Sequence, residues 1–377
     1  MLSSVSCVIP FEPTGVKDTA GILVVEGMIL ETGTTIQLSR TVSLNNDSDN
    51  SATSLEGVSD ARIHVIDDNN QTIAVALLQN AGTESSVYVV QNPIIFSPGT
   101  KYALDIQIGA KHYQSAFVSP IRTPEIDEIS WKQNEDNSLD ILVSTHDPAN
   151  ETKYYRWEFD EDWEIRSRYL SEFRYEPNTG EIIGQSLAGS NNRYYCWASD
   201  KSKSILLGTS DKLTETMIKD RKILNIPRYS TRFSCLYSIL VKQYGIDKTA
   251  YTYFENIQKN VEQGGSIFGL QPTELKGNIK CISHTDEPVI GYICATEEVA
   301  LRVFINMETM RGNDGRNCDF YDFPFPADEL DIAYGNYGLG IAYLVGVVYI
   351  CAPIICVDCT KLGGSKNKPD FWPNDHQ

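Results

Sequence analysis

The sequence predicts a mainly β protein: an N-terminal immunoglobulin-like β-sandwich, followed by a larger β-rich domain with one amphipathic helix. Short runs rich in Val, Ile, Leu and Tyr alternate with turn residues through most of the chain. The 377 residues are enough to bury two ordinary cores. The spacing of an amphipathic helix occurs in one stretch, near residues 247–263.

The sandwich is predicted over residues 21–123, after a tether over residues 1–20. The runs ILVVEGMIL, TTIQLSRTV, ARIHVID, TIAVALL and KYALDIQIG are separated by turn signals such as DDNNQ. About seven strands in about one hundred residues are typical of an immunoglobulin-like sandwich. The alternation in the last run predicts burial of its large apolar side chains, Tyr102, Leu104, Ile106 and Ile108.

The second domain is predicted over residues 124–377, with a boundary at Thr123-Pro124. In its helix, Asp247 offers an N-cap carboxylate, and Gly264 and Gly265 end the pattern. Four apolar side chains recur at helical spacing and predict one buried face. They are Tyr251, Phe254, Ile257 and Val261.

A long strand or hairpin arm is predicted around KYYRWEFDEDWEIR, because aromatic and charged residues alternate there. The residues of the aromatic face are Tyr155, Trp157, Phe159, Trp163 and Ile165. Those of the charged face are Arg156, Glu158, Asp160, Asp162, Glu164 and Arg166. We interpret the charged face as solvated and paired with Arg and Lys of neighbouring strands. Glycoside hydrolysis and calcium binding are the functional alternatives for its carboxylates. The aromatic face predicts a ligand surface made by Tyr155, Trp157 and Trp163.

Nine cysteines favour an oxidising, extracytoplasmic location. Cys7 stands apart, and the other eight allow up to four disulfides whose pairing the sequence leaves open. These candidates are Cys196, Cys235, Cys281, Cys294, Cys318, Cys351, Cys356 and Cys359.

Two of the cysteine spacings suggest other chemistry. Cys281, His284 and Cys294 lack a fourth ligand at a familiar zinc spacing, so a disulfide is favoured over a metal site. For Cys356-Val-Asp-Cys359 a structural disulfide is favoured over a redox motif, because GGSKNKPDFWP cannot begin a regular helix after it.

The run GLGIAYLVGVVYICAPIIC, residues 338–356, approaches the length of a membrane span. Its three glycines and Pro353 make it a poor helix. We therefore expect a buried strand pair, or an apolar surface covered by a partner, with a spanning helix as the alternative.

Composition and motifs argue against several functional classes. A formal charge of −18 leaves no basic stripe for nucleic acid or anionic lipid. The sequence has no Gly-x-Ser-x-Gly elbow, phosphate-binding Gly-rich loop or His-Glu-x-x-His helix. We predict no catalytic residues, metal or cofactor, and a protein that is not an enzyme.

The N-terminal MLSSVSC resembles the end of a bacterial lipoprotein signal, in which small residues precede the lipid-carrying cysteine. This pattern predicts lipidation of Cys7. The following IPFEPTGVKDTA then forms a flexible tether.

Several long phrases together resemble one protein family. They are THDPANETKYYRWEFDEDWE, YSILVKQYGIDKTAYTYFENIQKNVEQGGSIFGLQPTELKGNI, DEPVIGY and CVDCTKLGGSKNKPDFWP. The chain resembles the Bacteroidota cell-envelope lipoproteins that contain domain of unknown function 4249. That resemblance implies an outer-membrane protein, lipid-anchored through Cys7 and displayed at the cell surface. It also implies a TonB-dependent outer-membrane receptor as partner, and it provides no catalytic residues.

The expected function is therefore that of an accessory or ligand-binding subunit of a TonB-dependent nutrient importer. A glycan- or protein-binding adhesin that uses the aromatic strand is one alternative. A hydrolase that uses Glu158 or Asp160 is the other.

Overall fold

The structure is a computed structural model that describes residues 21–42, 55–186, 192–212, 216–262, 277–311 and 315–373. The chain divides into two compact units. Unit 1 contains the chain up to Thr123 and the segment Tyr244–Glu298, and unit 2 contains Pro124–Gln243 and the chain from Val299 onward. The division falls at the predicted boundary between Thr123 and Pro124. Residues 124–377 do not form one domain, however, because Tyr244–Glu298 returns to unit 1.

The secondary structure is mainly β. The first strands are β1 (Leu23–Gly27), β2 (Ile29–Leu30), β3 (Thr35–Thr41), β4 (Leu55–Gly57), β5 (Ala61–Asp67), β6 (Thr72–Ala81), β7 (Ser86–Val90), β8 (Tyr102–Ile108), β9 (Lys111–Ser115), β10 (Ile126–Gln133), β11 (Leu139–His146) and β12 (Tyr154–Arg166). The next elements are β13 (Phe173–Glu176), β14 (Glu181–Gly184), β15 (Tyr195–Lys201), β16 (Leu206–Thr209), β17 (Met217–Ile226), β18 (Leu236–Ile246), α1 (Lys248–Glu262), β19 (Ile279–Cys281), β20 (Val289–Gly291), β21 (Ala295–Thr296) and β22 (Glu298–Asn306). The last elements are β23 (Phe325–Pro326), α2 (Leu330–Tyr337), β24 (Leu339–Val345) and β25 (Val348–Pro353).

Unit 1 is built on a nearly closed, barrel-like sheet. Its strands follow the order β19-β9-β8-β5-β6-β7-β3-β1-β20, and β4 pairs with β3. The two end strands come close, since the Asn278 amide donates to the Gly291 carbonyl over 3.3 Å. The alternation predicted for β8 is confirmed, because all four of its predicted core side chains are buried. The finer immunoglobulin-like assignment of this sheet stays a prediction.

Helix α1 agrees with the prediction for residues 247–263. The Asp247 carboxylate accepts a hydrogen bond from the Ala250 amide over 2.8 Å, as an N-cap does. Phe254 and Ile257 are buried as predicted, Tyr251 is half-buried, and the side chain of Val261 lies outside the described residues. Gly264 and Gly265 also lie outside them. The helix belongs to unit 1, not to the second domain.

Unit 2 contains several smaller sheets. They are β10-β11-β17, β15-β12-β18-β22 with β16 paired to β12, the hairpin β13-β14, and β23-β25-β24. The sheets that contain β11 and β12 share one apolar core, in which Leu139 and Ile141 pack with Trp157 and Ile165. Helix α2, which the sequence did not predict, contributes Leu330 and Ala333 to a smaller apolar core.

The apolar run at residues 338–356 forms the antiparallel hairpin β24-β25. Its base is buried, but four apolar side chains at its tip are exposed to 40–85%. They are Tyr343, Leu344, Val345 and Val347, and we call them the apolar tip. Gly346, with φ +60°, supplies the left-handed residue of the turn. In the part of the chain that the structure describes, no helix is sufficiently long and apolar to span a membrane.

Candidate functional site

The predicted aromatic ligand surface is wrong, because the structure buries it. Tyr155 and Trp157 are 0% exposed and Trp163 is 7% exposed. The alternation along β12 is as predicted, but this face packs against the sheet β10-β11-β17 in the core of unit 2. Large aromatic side chains contribute most to stability when they are removed from water. These three residues therefore hold unit 2 together and are not available to a ligand.

The other face of β12 carries the ion pairs that the sequence interpretation expected. Asp160 lies 2.7 Å from Lys242 Nζ, and Asp162 lies 3.4 Å from Arg302 Nη1. Burial raises the pKa of Asp160, but the hydrogen bond and charge of Lys242 outweigh burial and hold that pKa below its usual range. Asp160 and Asp162 are thus engaged with basic side chains and give the hydrolase alternative no support. Glu164 of the same face is fully buried, so the expectation that this whole face is solvated is wrong at that residue.

Four of the eight candidate cysteines form two disulfides: Cys196–Cys359 and Cys318–Cys356. The other four are buried thiols, so the prediction of disulfides at those positions is wrong: Cys235, Cys281, Cys294 and Cys351. Burial raises the pKa of the Cys235 thiol to about 12 and that of the Cys351 thiol to about 11. Cys7, the predicted lipidation position, lies outside the described residues.

A cluster with metal-binding chemistry lies in unit 1, at the start of the β19-β20 connection. Potential ligand atoms of Cys281, His284 and Glu287 lie within 4.8 Å of one another. However, Glu287 already accepts a hydrogen bond from Tyr113 Oη at 2.6 Å and pairs with Lys111 Nζ at 2.7 Å. A divalent cation would compete with this ammonium group for the carboxylate. The cluster is therefore a weaker candidate than the pocket of unit 2.

The candidate binding site is a pocket of about 360 Å³ in unit 2. A volume of this size lies at the lower end of the range found for small-molecule sites. Its lining residues come from hairpin β13-β14, the connection from β14 to β15, helix α2, strand β24 and the segment that follows β25. They are Phe173, Arg174, Tyr175, Glu176, Pro177, Asn178, Gln185, Arg193, Tyr334, Gly340, Ile341, Ile354, Val357, Asp358, Thr360 and Lys361.

The two disulfides brace one wall of this pocket. Cys356 and Cys359 are tied to different distant segments, at Cys318 and Cys196 respectively. Both residues between them in the sequence, Val357 and Asp358, line the pocket. The Cys-Val-Asp-Cys motif is thus structural, as predicted, and it fixes this wall. We call the site the disulfide-braced pocket.

Aromatic and apolar side chains form part of the remaining wall. The rings of Tyr175 and Tyr334 have centroids 6.0 Å apart, and Lys361 Nζ donates to Tyr334 Oη over 3.3 Å. Ile341 and Val357 are buried beside them. Half of the sixteen lining residues are polar or charged, so this pocket is more polar than most sites for small organic molecules.

Three buried polar atoms of the pocket have no hydrogen-bond partner among the described residues. They are Arg174 Nε, Arg193 Nε and Gln185 Oε1. Buried polar groups are nearly always satisfied in folded proteins, because leaving one unpaired costs about 1–3 kcal/mol. These three atoms lie within the wall of the pocket and not at its surface.

A second cavity in unit 2, of about 590 Å³, is lined by Arg166, Arg168 and Arg316, of which the first and the last are already engaged. Arg316 donates to the backbone carbonyls of Ile355 and Arg166, and the Arg166 guanidinium pairs with Glu308. Because these groups hold the chain together, the second cavity is the weaker candidate for a ligand.

Sequence reasoning missed the disulfide-braced pocket entirely. Its residues are distributed over segments 173–193 and 334–361, and no local pattern joins those segments. The one available signal was the Cys356-Val-Asp-Cys359 motif, whose two cysteines fix the residues between them.

Comparison with known sequences and structures places the chain in a family. No curated protein matches it. A DUF4785 family protein from Legionella pneumophila is similar over 59% of this chain and 51% of that protein, with 9% sequence identity and a TM-score of 0.19. This chain thus aligns with about half of that protein, and a likeness this low carries no argument. The sequence model of the Domain of unknown function (DUF4249) matches residues 8–302, which leaves the wall at 334–361 beyond the match. Since this match covers well over half of the sequence, the chain belongs to the DUF4249 family.

Proposed function

We propose that this protein is a ligand-binding, lipid-anchored subunit of a TonB-dependent uptake system at the outer membrane. The observation that carries the proposal is the disulfide-braced pocket, which combines aromatic side chains with charged ones. A subunit that captures a nutrient and transfers it to an importer needs such a pocket and needs no catalytic residues.

The disulfides support the extracytoplasmic part of the proposal. Disulfides persist in oxidising compartments and are rare in the reducing cytosol. Cys196–Cys359 and Cys318–Cys356 join residues 163 and 38 positions apart, so they cross-link the tertiary structure. In this proposal Cys7 carries the lipid and the following residues form the tether.

The apolar tip of hairpin β24-β25 supports the existence of a partner. Val347 is 85% exposed and Val345 is 52% exposed. Contiguous exposed apolar patches are rare on monomeric soluble proteins, and they often mark sites of protein–protein contact. We propose that this tip contacts the receptor. The adhesin alternative, by contrast, loses its supporting observation because the aromatic face of β12 is buried.

Co-purification tests this proposal. The full chain, expressed with a complete lipoprotein signal in a host that has the cognate receptor, is purified from detergent-solubilised outer membranes. We expect the receptor to co-purify with the unmodified chain. We expect Cys7→Ser to release the protein from the membrane fraction. Recovery of the lipidated protein with no receptor would overturn the proposed function.

A matched pair of variants tests the contact surface. Val347→Ser removes an apolar side chain that is 85% exposed at the tip, and Ile95→Ser removes one that is 82% exposed in unit 1. Neither change should alter the free energy of unfolding by more than about 0.5 kcal/mol, because both side chains already lie in water. We expect the first to weaken receptor recovery and the second to leave it unchanged. Equal recovery with both variants would remove the tip from the proposal.

A further inference from the structure

We infer that Cys281, His284 and Glu287 form a binding site for a zinc ion in unit 1, with a water molecule as the fourth ligand. This inference goes beyond the proposed function, because neither capture of a nutrient nor contact with a receptor requires a metal. It follows from the kinds of donor atom in the cluster, from their distances and from the way the chain holds them.

The three side chains offer a set of donor atoms that suits zinc. Cysteine sulfur, histidine nitrogen and carboxylate oxygen are the usual zinc ligands in proteins, and three of them with one water make a tetrahedral site. Calcium and magnesium prefer oxygen ligands, so the thiol and the imidazole argue against those ions. Cys281 can act as a ligand because it is a free thiol in the structure, although the sequence favours a disulfide there. Since Cys281 is buried and His284 is exposed, the site lies at the edge of the core, where water can reach it.

The donor atoms already lie close to the spacing that zinc requires. Bonds of about 2.3 Å to sulfur and about 2.0–2.2 Å to nitrogen or oxygen, at tetrahedral angles, place the ligand atoms about 3.5 Å apart. One ligand atom from each of the three side chains lies within 4.8 Å of the other two. Cys281 Sγ lies 4.0 Å from Glu287 Oε2. Side-chain adjustments of about 1 Å would therefore close the site around an ion.

Hydrogen bonds hold the β19-β20 connection that carries these ligands. The Ile282 amide donates to the carbonyl of His112, on strand β9, over 2.6 Å. The Glu287 amide donates to the carbonyl of His284 over 3.0 Å. Ser283 Oγ accepts from the His112 amide at 3.1 Å and lies 3.1 Å from His284 Nδ1. The ligands are thus presented on a turn that is already formed, which lowers the entropic cost of binding an ion.

One cation already occupies part of the site. Lys111 Nζ lies 2.7 Å from Glu287 Oε2, the oxygen nearest to Cys281 Sγ. The Lys111 side chain is 42% exposed, so it can turn into water when zinc takes its place. The other oxygen, Oε1, accepts from Tyr113 Oη at 2.6 Å and lies 3.9 Å from Arg40 Nη1. Zinc binding is therefore an exchange of a monovalent for a divalent cation at one carboxylate oxygen, while Tyr113 continues to orient the carboxylate.

Metal titration of the full, disulfide-bonded chain tests the inference. The chain is first treated with a chelator, and cobalt(II) is then added as the probe, because a cobalt–thiolate bond gives a charge-transfer absorption band in the near ultraviolet. We expect one equivalent of cobalt to produce this band, and zinc to displace the cobalt with a Kd of about 1 μM. Cobalt binding without a thiolate band, or no zinc binding at about 100 μM, overturns the inference.

Substitutions at the ligands locate the ion. We expect His284→Ala and Glu287→Gln each to weaken zinc binding at least about tenfold, since even the outer partners of a ligand contribute about 10–100-fold to metal affinity. Cys281→Ser should abolish the thiolate band. His146→Ala is the control and should change nothing, because His146 forms a histidine–carboxylate pair with Asp127 in unit 2.

Zinc binding that survives both Cys281→Ser and His284→Ala places the ion elsewhere and overturns the inference. If Cys281→Ser loses its fold, as shown by circular dichroism, His284→Ala decides alone, because His284 is exposed and its truncation leaves the core intact.

Lys111→Gln gives a result that a purely structural role of the cluster would not give. This change removes the ammonium group that competes with zinc for Glu287 Oε2. We expect it to tighten zinc binding at least about threefold, because a nearby like charge disfavours a bound cation. Zinc binding that is unchanged or weaker in Lys111→Gln excludes Glu287 as a ligand and overturns the three-residue site.

Discussion

The indole Nε1 of Trp157 donates a hydrogen bond to Gln243 Oε1 over 2.8 Å, and both side chains are fully buried. The same glutamine donates from Nε2 to the Pro124 carbonyl at 2.7 Å and to Thr145 Oγ1 at 3.0 Å. One amide thus links strands β12, β11 and β18 with the first residue of unit 2. This relationship explains why an indole can lie at the centre of an apolar core, since its N–H is satisfied.

Replacement of this amide should destabilise unit 2. Gln243→Leu leaves the Trp157 N–H and the Pro124 carbonyl without these partners, while Thr145 keeps its bond to the Glu125 carbonyl. Each orphaned group costs about 1–3 kcal/mol, so we expect a loss of about 2–6 kcal/mol in the free energy of unfolding. All five tryptophans lie in unit 2, so urea unfolding followed by tryptophan fluorescence reports on that unit. Gln107→Leu, at a half-buried position of strand β8 in unit 1, is the control, and an equally small effect of both changes would contradict the prediction.

A methyl group at Gly208 should also act through Trp157. A Cβ at Gly208 would lie 2.6 Å from the Trp157 ring and 3.3 Å from Ile218 Cδ1. Since Gln243 holds the ring in place, we expect Gly208→Ala to cost about 1–3 kcal/mol. Gly184→Ala is the matched control, because a Cβ there meets nothing within 4 Å. The fluorescence-detected midpoint should fall for the first variant and stay or rise for the second, and a reversal of that order would count against the described packing.

Alkylation should separate the eight described cysteines into two groups of four. In the native state at about pH 8 we expect little reaction, because all four thiols are buried away from the reagent. Burial also raises the pKa of Cys235 to about 12, which disfavours its reactive thiolate. In urea without reductant, iodoacetamide should label Cys235, Cys281, Cys294 and Cys351. The other four, Cys196, Cys318, Cys356 and Cys359, should react only after reduction. Peptide mapping by mass spectrometry reads this pattern, and a Cys281–Cys294 disulfide would contradict it.

The comparison of sequence with structure shows what alternation can and cannot predict. A period of two along β12 separates its two faces correctly, but the pattern does not say which face another sheet will cover. The alternation predicts a ligand surface at Trp157 and Trp163, whereas strands far along the chain bury them. Helix α1 was predicted closely, because its cap at Asp247 and its apolar spacing are local signals.

Long-range pairing accounts for the other differences. Strand β1 pairs in parallel with β20, more than 250 residues later, and this pairing returns Tyr244–Glu298 to unit 1. Cysteine partners such as Cys196 and Cys359 are likewise set by the tertiary fold. The disulfide-braced pocket combines both effects, which is why no single stretch of sequence indicated it.

The final prediction concerns the pH dependence of unit 1 and the carboxyl group of Glu287. Burial raises the pKa of Glu287, but the hydrogen bonds from Lys111 and Tyr113 outweigh burial and hold this pKa below the ordinary value of 4.5. A carboxyl group with a lower pKa in the folded state than in the unfolded state stabilises the fold above its unfolded pKa. That stabilisation is lost as the pH falls below about 4.5 and through the folded pKa, because the unfolded chain takes up the proton first.

We therefore expect Glu287→Gln to lower the stability of unit 1 at about pH 6 and to reduce its dependence on pH between about 6 and 4. Unit 1 has no tryptophan, so urea unfolding of this unit is followed by hydrogen exchange of its strand amides. Glu84→Gln, an exposed change in the same unit, should keep the pH dependence of the unmodified protein. If Glu287→Gln retains that dependence as fully as Glu84→Gln does, the ion pair with Lys111 is not the source of the acid sensitivity, and other carboxylates of unit 1 must supply it.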